Sequence, residues 1–425
     1  MSFDAALVKK DFPLLQRRIN DKPLVYLDSA NTSQKPQQVI DAMSQFMETT
    51  YAPINRSAYQ LAAESTDAFE NARSLCRTFI NAPRTNEIIF TKNATEALNL
   101  VAHSWGGANL QAGDIVVLTQ MEHHANIVPW HMLVQSHGIQ LRWVPLTADG
   151  QLDLTNLDEL LKGAKIFSFT AMSNVLGTLT PVKQLCAAAH AAGALAIVDG
   201  CQYVPHNVTD VTEWDADFLA FSSHKMCGPS GIGVLWGREE LLNSLPAYKL
   251  RVVKDVSPGR YETGTQSLEG QAGTHGALEY MQWVGTTMGQ EHLNDNPNHR
   301  QRTREIHAGL KAMAIYDRML VAHLITGLQR LPGIEVRGIT NPERFTHRVP
   351  TVSITRPDLV PSELAKFLDQ HGVYVWDGHS YGIDVIEWLG LQDRGGVVRI
   401  GPTHYNTVEE IDTALSLIGD FVSRL

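Results

Sequence analysis

The chain has 425 residues, of which 44% are hydrophobic and 19% charged, and its formal net charge is −10. That length allows a large core and two domains, and an acidic balance without a long basic run argues against nucleic acid as a partner. No apolar stretch approaches the ~20 residues of a membrane span, and Met1-Ser2-Phe3-Asp4 opens no signal-peptide pattern, so a cytoplasmic protein without membrane contact is expected.

From the N-terminus, a leader of some twenty residues precedes the first ordered pattern. Between about residues 85 and 236, short β-rich runs alternate with helical stretches. The runs are Ile88 to Phe90, Ile115 to Leu118, Leu141 to Val144, Ile166 to Phe169, Leu195 to Val198, Phe218 to Phe221 and Ile232 to Trp236. Helical segments such as Thr95 to His103, Asn126 to Ser136 and Val182 to Ala192 lie between them. Such alternation predicts an α/β fold with a large domain built on a mainly parallel seven-stranded sheet. From about Asp295 the texture changes. A long charged helix over Arg300 to Leu331 leads to strands at Thr351 to Ile354, Val373 to Trp376 and Val397 to Ile400, and Thr407-Val408-Glu409-Glu410 opens a last helix. The expected division is a large domain over residues 21–294 and a smaller α/β domain formed by residues 1–20 and 295–425.

Four cysteines (Cys76, Cys186, Cys201 and Cys227) make neither a disulfide framework nor a CxxC pair, which fits a reducing compartment. Chemistry concentrates at the carboxyl ends of the predicted strands, where parallel α/β sheets bind ligands. Asp199 ends one strand, and Lys225 follows the next within Phe221-Ser222-Ser223-His224-Lys225. A lysine alone after a strand is an ordinary solvated end. With Asp199 nearby it suggests a Schiff base to an aldehyde cofactor whose ring nitrogen the carboxylate keeps protonated, as pyridoxal phosphate (PLP) requires.

Three further groups bear on that reading. Asn93-Ala94-Thr95-Glu96 starts a helix, where free N–H groups and the dipole favour a phosphate; the alternative is an N-cap with nothing bound. Glu122-His123-His124 follows a strand. Adjacent histidines do not readily share one metal ion and no third ligand is suitably spaced, so no metal is expected, and His123 suits the face of a cofactor ring. Arg399 offers a bidentate fork for a carboxylate, or a salt bridge between domains.

Taken together, Tyr26 to Ala30, Gln34-Lys35-Pro36, Met121 to Trp130, Ser173 to Thr178, Asp199 to Gln202, Ser222 to Pro229 and Tyr261 to Thr265 resemble the class V aminotransferase branch of fold-type I PLP enzymes, specifically the group II cysteine desulfurase and selenocysteine lyase family. The resemblance implies PLP held covalently on Lys225, with Asp199 at the pyridine nitrogen, Gln202 at the ring hydroxyl and His123 stacked on the ring. It implies that Ala94, Thr95, Ser222 and His224 hold the phosphate, with Thr265 reaching the phosphate of a partner subunit in a homodimer. Asn174 and Arg399 match positions that bind cofactor and substrate carboxylate.

One departure matters. The family's loop carries Arg-x-Gly-His-His-Cys, whose cysteine takes sulfur from the substrate; here the stretch reads Trp376-Asp377-Gly378-His379-Ser380-Tyr381. A phenol forms no persulfide, which argues against a docked sulfur-acceptor protein. Cys201, by strand alternation, is expected to point away from the ring, leaving Cys227 as the one candidate replacement. The glycine-rich segment usual before the Glu-x-Gly-Thr-like motif is likewise replaced, by Leu245 to Arg251. Three readings stay open. The first is C–S cleavage of a small L-amino acid by β-elimination, with Lys225 as base and His379 protonating the sulfur. The second is racemisation, epimerisation or transamination of a non-sulfur amino acid, in a pocket shaped by Trp376 and Tyr381. The third is a cofactor-binding scaffold without turnover.

Overall fold

The computed structural model describes residues 3–55 and 57–425. The large sheet is built from β1 (Ile88–Thr91), β2 (Ile115–Thr119), β3 (Gln140–Val144), β4 (Ala164–Thr170), β5 (Leu195–Asp199), β6 (Phe218–Ser222) and β7 (Gly233–Gly237). Each of the seven predicted runs is a strand. Their order across the sheet is β1-β7-β6-β5-β4-β2-β3, with β7 antiparallel to both neighbours and every other pairing parallel. The central strands bury nearly every residue, because helices cover both faces and leave no polar side to the pleat.

The helices that matter to the site follow strand ends. Between β1 and β2 lies α1 (Ala94–Val101), capped by the Asn93 side chain, which accepts from the Glu96 N–H at 2.8 Å. Beyond it the predicted helix relaxes into a π-type turn over Ala102–Gly106. A Cβ on Gly233 of β7 would stand 2.3 Å from the Asn93 carbonyl carbon, so only glycine lets that strand pass beneath the start of α1. Next come α2 (Val128–His137), after β2, and α3 (Val182–Ala191), after β4.

Two long helices, α4 (Leu268–Met288) and α5 (Gln301–Leu328), connect to the second sheet. That sheet holds β8 (Glu335–Arg337), β9 (Val352–Thr355), β10 (Trp376–Gly378) and β11 (Val397–Ile400), in the order β8-β9-β11-β10. The strand expected over Val373 to Trp376 is two pieces: Val373–Tyr374 pairs with Val25–Tyr26, and Trp376 starts β10. The last helix, α6 (Val408–Val422), begins with a capping box between Thr407 and Glu410, the start signal read in the sequence.

The large sheet carries a core on each face, one around Phe90, Phe167 and Phe221 and one around Ile89, Ile166 and Ala220, and a third core belongs to the C-terminal part. Val25, Leu27, Leu324, Ile354, Leu364 and Ile418 belong to the C-terminal core. The leader touches both parts. Its Val8, Phe12 and Leu15 enter the core of the large sheet alongside Phe79 and Met281, while Lys9 pairs with Glu410 and Phe3 stacks on Tyr316 at 4.8 Å.

Candidate active site

The carboxyl ends of β2, β5 and β6 and the start of α1 enclose a cavity of about 240 Å³. It is lined by Ala94, Thr95, His123, Asn174, Asp199, Cys201, Gln202, Ser222, His224, Lys225 and Tyr381, among others. Eleven positions, drawn from six separate stretches of sequence, thus meet where the parallel sheet leaves its crevice.

Asp199 is buried, and burial raises its pKa while Lys225 opposes the shift. Its Oδ1 accepts from the Cys201 N–H at 2.9 Å; among the described residues Oδ2 receives no hydrogen bond. A buried carboxylate with one free oxygen facing a cavity fits a cationic ring N–H. Lys225 rises from a 3-10 turn, Ser223–Lys225, at the end of β6. Ser222 Oγ accepts from the Ala94 N–H at 2.8 Å, which leaves the hydroxyl proton for an anion beside the first turn of α1.

His123 Nδ1 accepts from the Ala125 N–H at 3.1 Å, so the ring proton sits on Nε2. Burial, then Lys225, pushes His123 down to about 3 and His224 down to about 4, and both rings are neutral at pH 7. Below His123 lies Glu122, a residue sequence reasoning passed over. It is fully buried and accepts from Thr119 Oγ1, the Thr170 N–H and Asn126 Nδ2 at 2.5, 2.9 and 2.7 Å. Burial pushes its pKa up to about 8, against those three donors. Its place in Glu122-His123-His124, directly after a strand, was the available signal.

The mouth is formed by the loop after β10. Ser380 and Tyr381 take left-handed φ values of 50° and 55°. The Tyr381 carbonyl accepts from the His124 N–H at 2.9 Å, and the Ser380 carbonyl accepts from Asn174 Nδ2 at 2.5 Å. Tyr381 is 55% exposed and its ring lies 5.5 Å from that of His123.

Several expected residues stand elsewhere. His379 is exposed and outside the cavity lining, and its Nδ1 is spent on the Tyr381 N–H at 3.0 Å. Trp376 is also outside the lining, and its Nε1 is buried without a partner. Arg399 lies behind the cavity wall, donating to the Asn174 carbonyl at 3.1 Å and to Asp28 Oδ1 at 3.3 Å. Thr265 is exposed and belongs to a different cavity with Lys92 and Arg260.

Cys201 corrects the expectation from strand alternation. The chain leaves extended geometry at Gly200 and turns through Cys201 to Asn207, which brings the thiol into the cavity, 3.7 Å from Ser222 Oγ. Burial pushes it up to about 11. Cys227 is sealed in a separate small cavity beside Ser33 and His404, and burial pushes its thiol up to about 12.

Comparison with known proteins bears directly on this geometry. The family model for class V aminotransferases matches residues 25–414. The chain belongs to the class V aminotransferase family. Within it, the chain is 39% identical over 430 residues to a cysteine desulfurase of Synechococcus elongatus, covering 98% of this chain but 64% of that protein's length. It is 37% identical to a cysteine desulfurase of an Enterobacter species, with 97% of each covered. Among solved structures, the apo cysteine desulfurase of Thermococcus onnurineus superposes with a TM-score of 0.87 at 30% identity, over 99% of this chain and 98% of that one. The Escherichia coli cysteine desulfurase gives 0.82 at 29% identity, over 100% and 99%. The class V assignment makes this a PLP-dependent, cysteine desulfurase-like enzyme of fold type I.

Proposed function

We propose that this enzyme cleaves the C–S bond of a small L-amino acid by β-elimination rather than by transfer of sulfur to a cysteine of its own. The observation that carries this reading is Tyr381 at the cavity mouth, where the family's loop bears its thiol, with no low-pKa cysteine at hand.

PLP bound on Lys225 supplies an electron sink for the pair released at the substrate Cα. Asp199, buried and with one oxygen free, sustains the positive ring nitrogen. Ala94, Thr95, Ser222 and His224 would hold the phosphate, and His123, kept neutral, would face the ring. Gln202 donates to the Ala30 carbonyl at 2.6 Å, which fixes its amide at the ring's edge. Asn174 lines the cavity and Arg399 stands directly behind it, an arrangement suited to a carboxylate that displaces the contact between them.

The Lys225 amine takes the Cα proton. The Cβ–S bond then breaks with both electrons passing to sulfur, which leaves as sulfide. The remaining enamine adds water to give pyruvate and ammonia. With His379 outside the cavity lining, the Tyr381 hydroxyl or water at the mouth is the proton source for sulfur.

A homodimer belongs to the same proposal. Thr265 does not line its own chain's cavity, and the neighbouring segment exposes Tyr248, Leu250, Val252 and Val256, an apolar run suited to a second copy.

The test is to incubate the PLP-loaded enzyme with L-cysteine and quantify alanine against pyruvate. Pyruvate with sulfide is the expected result. Alanine with sulfide would instead indicate a desulfurase using another acceptor. Neither product would move the weight to non-sulfur amino acids.

A further inference from the structure

Away from the active site, one face of α5 carries Arg304, His307, Lys311, Ala314 and Arg318, spaced three and four residues apart and so stacked along a single stripe. That stripe lines a cavity of about 300 Å³, closed by Tyr203, Asn207 and Val208 from the turn after β5 and by His292, Asp295 and Asn296 from the α4–α5 connection. Three cations face one carboxylate, Asp295, which pairs with Lys311. Asp317, the next acid along α5, is engaged by His206 Nδ1 at 2.8 Å.

Several polar groups in this cavity are unmet. Among the described residues neither the Arg304 nor the Arg318 side chain has a hydrogen-bond or ion-pair partner, and Arg304 Nε and Asn207 Nδ2 are buried without an acceptor. His307 is 4% exposed; its Nε2 donates to the Phe79 carbonyl at 3.0 Å, which leaves Nδ1 buried with no partner. A buried guanidinium Nε and a buried amide without acceptors are costly unless something supplies them. None of this is needed by the reaction at Lys225.

We infer that this cavity is a binding site for a phosphate dianion, either free or as the head of a small monoester. Two guanidinium groups and an ammonium match the three terminal oxygens, and the bare His307 Nδ1 accepts from the hydroxyl of hydrogen phosphate or of an ester's alcohol. The volume exceeds that of inorganic phosphate alone, which favours the ester. The turn that walls the cavity with Tyr203 and Asn207 also carries Cys201 and Gln202 into the active site, so occupancy of one cavity bears on a wall of the other.

The experiment is calorimetric titration of the cofactor-saturated enzyme, whose own phosphate pocket is already filled, with inorganic phosphate and separately with glycerol 3-phosphate. One saturable site per chain is expected, tighter for the ester, and at least about tenfold weaker in Arg304→Gln/Arg318→Gln, the loss of two charge-assisted contacts. Lys162→Gln, on the exposed surface, is expected to bind as the parent does. If the double variant does not fold, Lys311→Gln is read instead, with about threefold weakening at an unchanged melting temperature. Absence of saturable binding, or parental affinity in the variants, would overturn the site; tighter binding of inorganic phosphate would overturn the ester and leave the free anion.

Discussion

At the scale of single residues, the structure separates groups that line the cavity from groups that only neighbour them in sequence. Lys225 is the sole amine lining the cavity among the described residues, so Lys225→Ala is expected to lower turnover by roughly 10²–10⁴-fold, the contribution of a positioned base. His379→Ala, by contrast, is expected to change kcat/KM by less than about threefold, because its imidazole is exposed and spent on the Tyr381 N–H. Steady-state kinetics on both variants checks the pair. Lys225, Asp199 and His123 were legible in the sequence because each follows a buried apolar run that is recognisably a strand end. Cys201, His379 and Trp376 were not. Their positions depend on where extended backbone stops, at Gly200, and on left-handed residues at Ser380 and Tyr381 that composition does not announce.

Among elements, the contact between α4 and α5 decides how the helical layer sits on the large sheet. These helices meet backbone to backbone: a Cβ on Gly285 would fall 1.7 Å from the Glu305 carbonyl oxygen, and one on Gly309 would fall 2.2 Å from that of Met281. Gly309→Ala must therefore push the helices apart, and a loss of about 1–3 kcal/mol in unfolding free energy is expected from denaturant titration. The strands were readable because β-branched and aromatic runs buried on both faces leave little ambiguity. The glycine crossing was not readable, since each glycine inside a helical pattern looks like a local weakness until its partner helix is known. The split at Val375 has the same origin: two different partner strands, Val25–Tyr26 and β11, claim adjacent residues.

For the whole molecule, the leader, the large core and the C-terminal part converge on His404. It is buried, bonded to the Tyr280 hydroxyl at 2.9 Å and packed near Phe12, and burial pushes it down to about 3. A histidine whose folded pKa lies below its unfolded value of about 6.5 contributes stability above that value and loses it as pH falls towards 3. The melting temperature of the parent relative to His404→Gln is therefore expected to fall between pH 7 and pH 5. Assembly is tested separately: Val252→Asp, at a position 90% exposed in the single chain, is expected to shift the sedimenting species from dimer to monomer without unfolding it.

The place of β7 in the large sheet has a consequence for how the protein is made. β1 has a single strand neighbour, and that neighbour is the last of the seven to leave the ribosome. Until Gly233–Gly237 is synthesised, β1 is an orphan edge, and the turn beneath Asn93 that shapes the anion end of the cavity has nothing to rest on. Nascent chains ending before β7 are thus expected to expose an unpaired apolar strand and to be captured by chaperones, and the cofactor is expected to join only after this pairing, the most distant in sequence within the sheet, has formed.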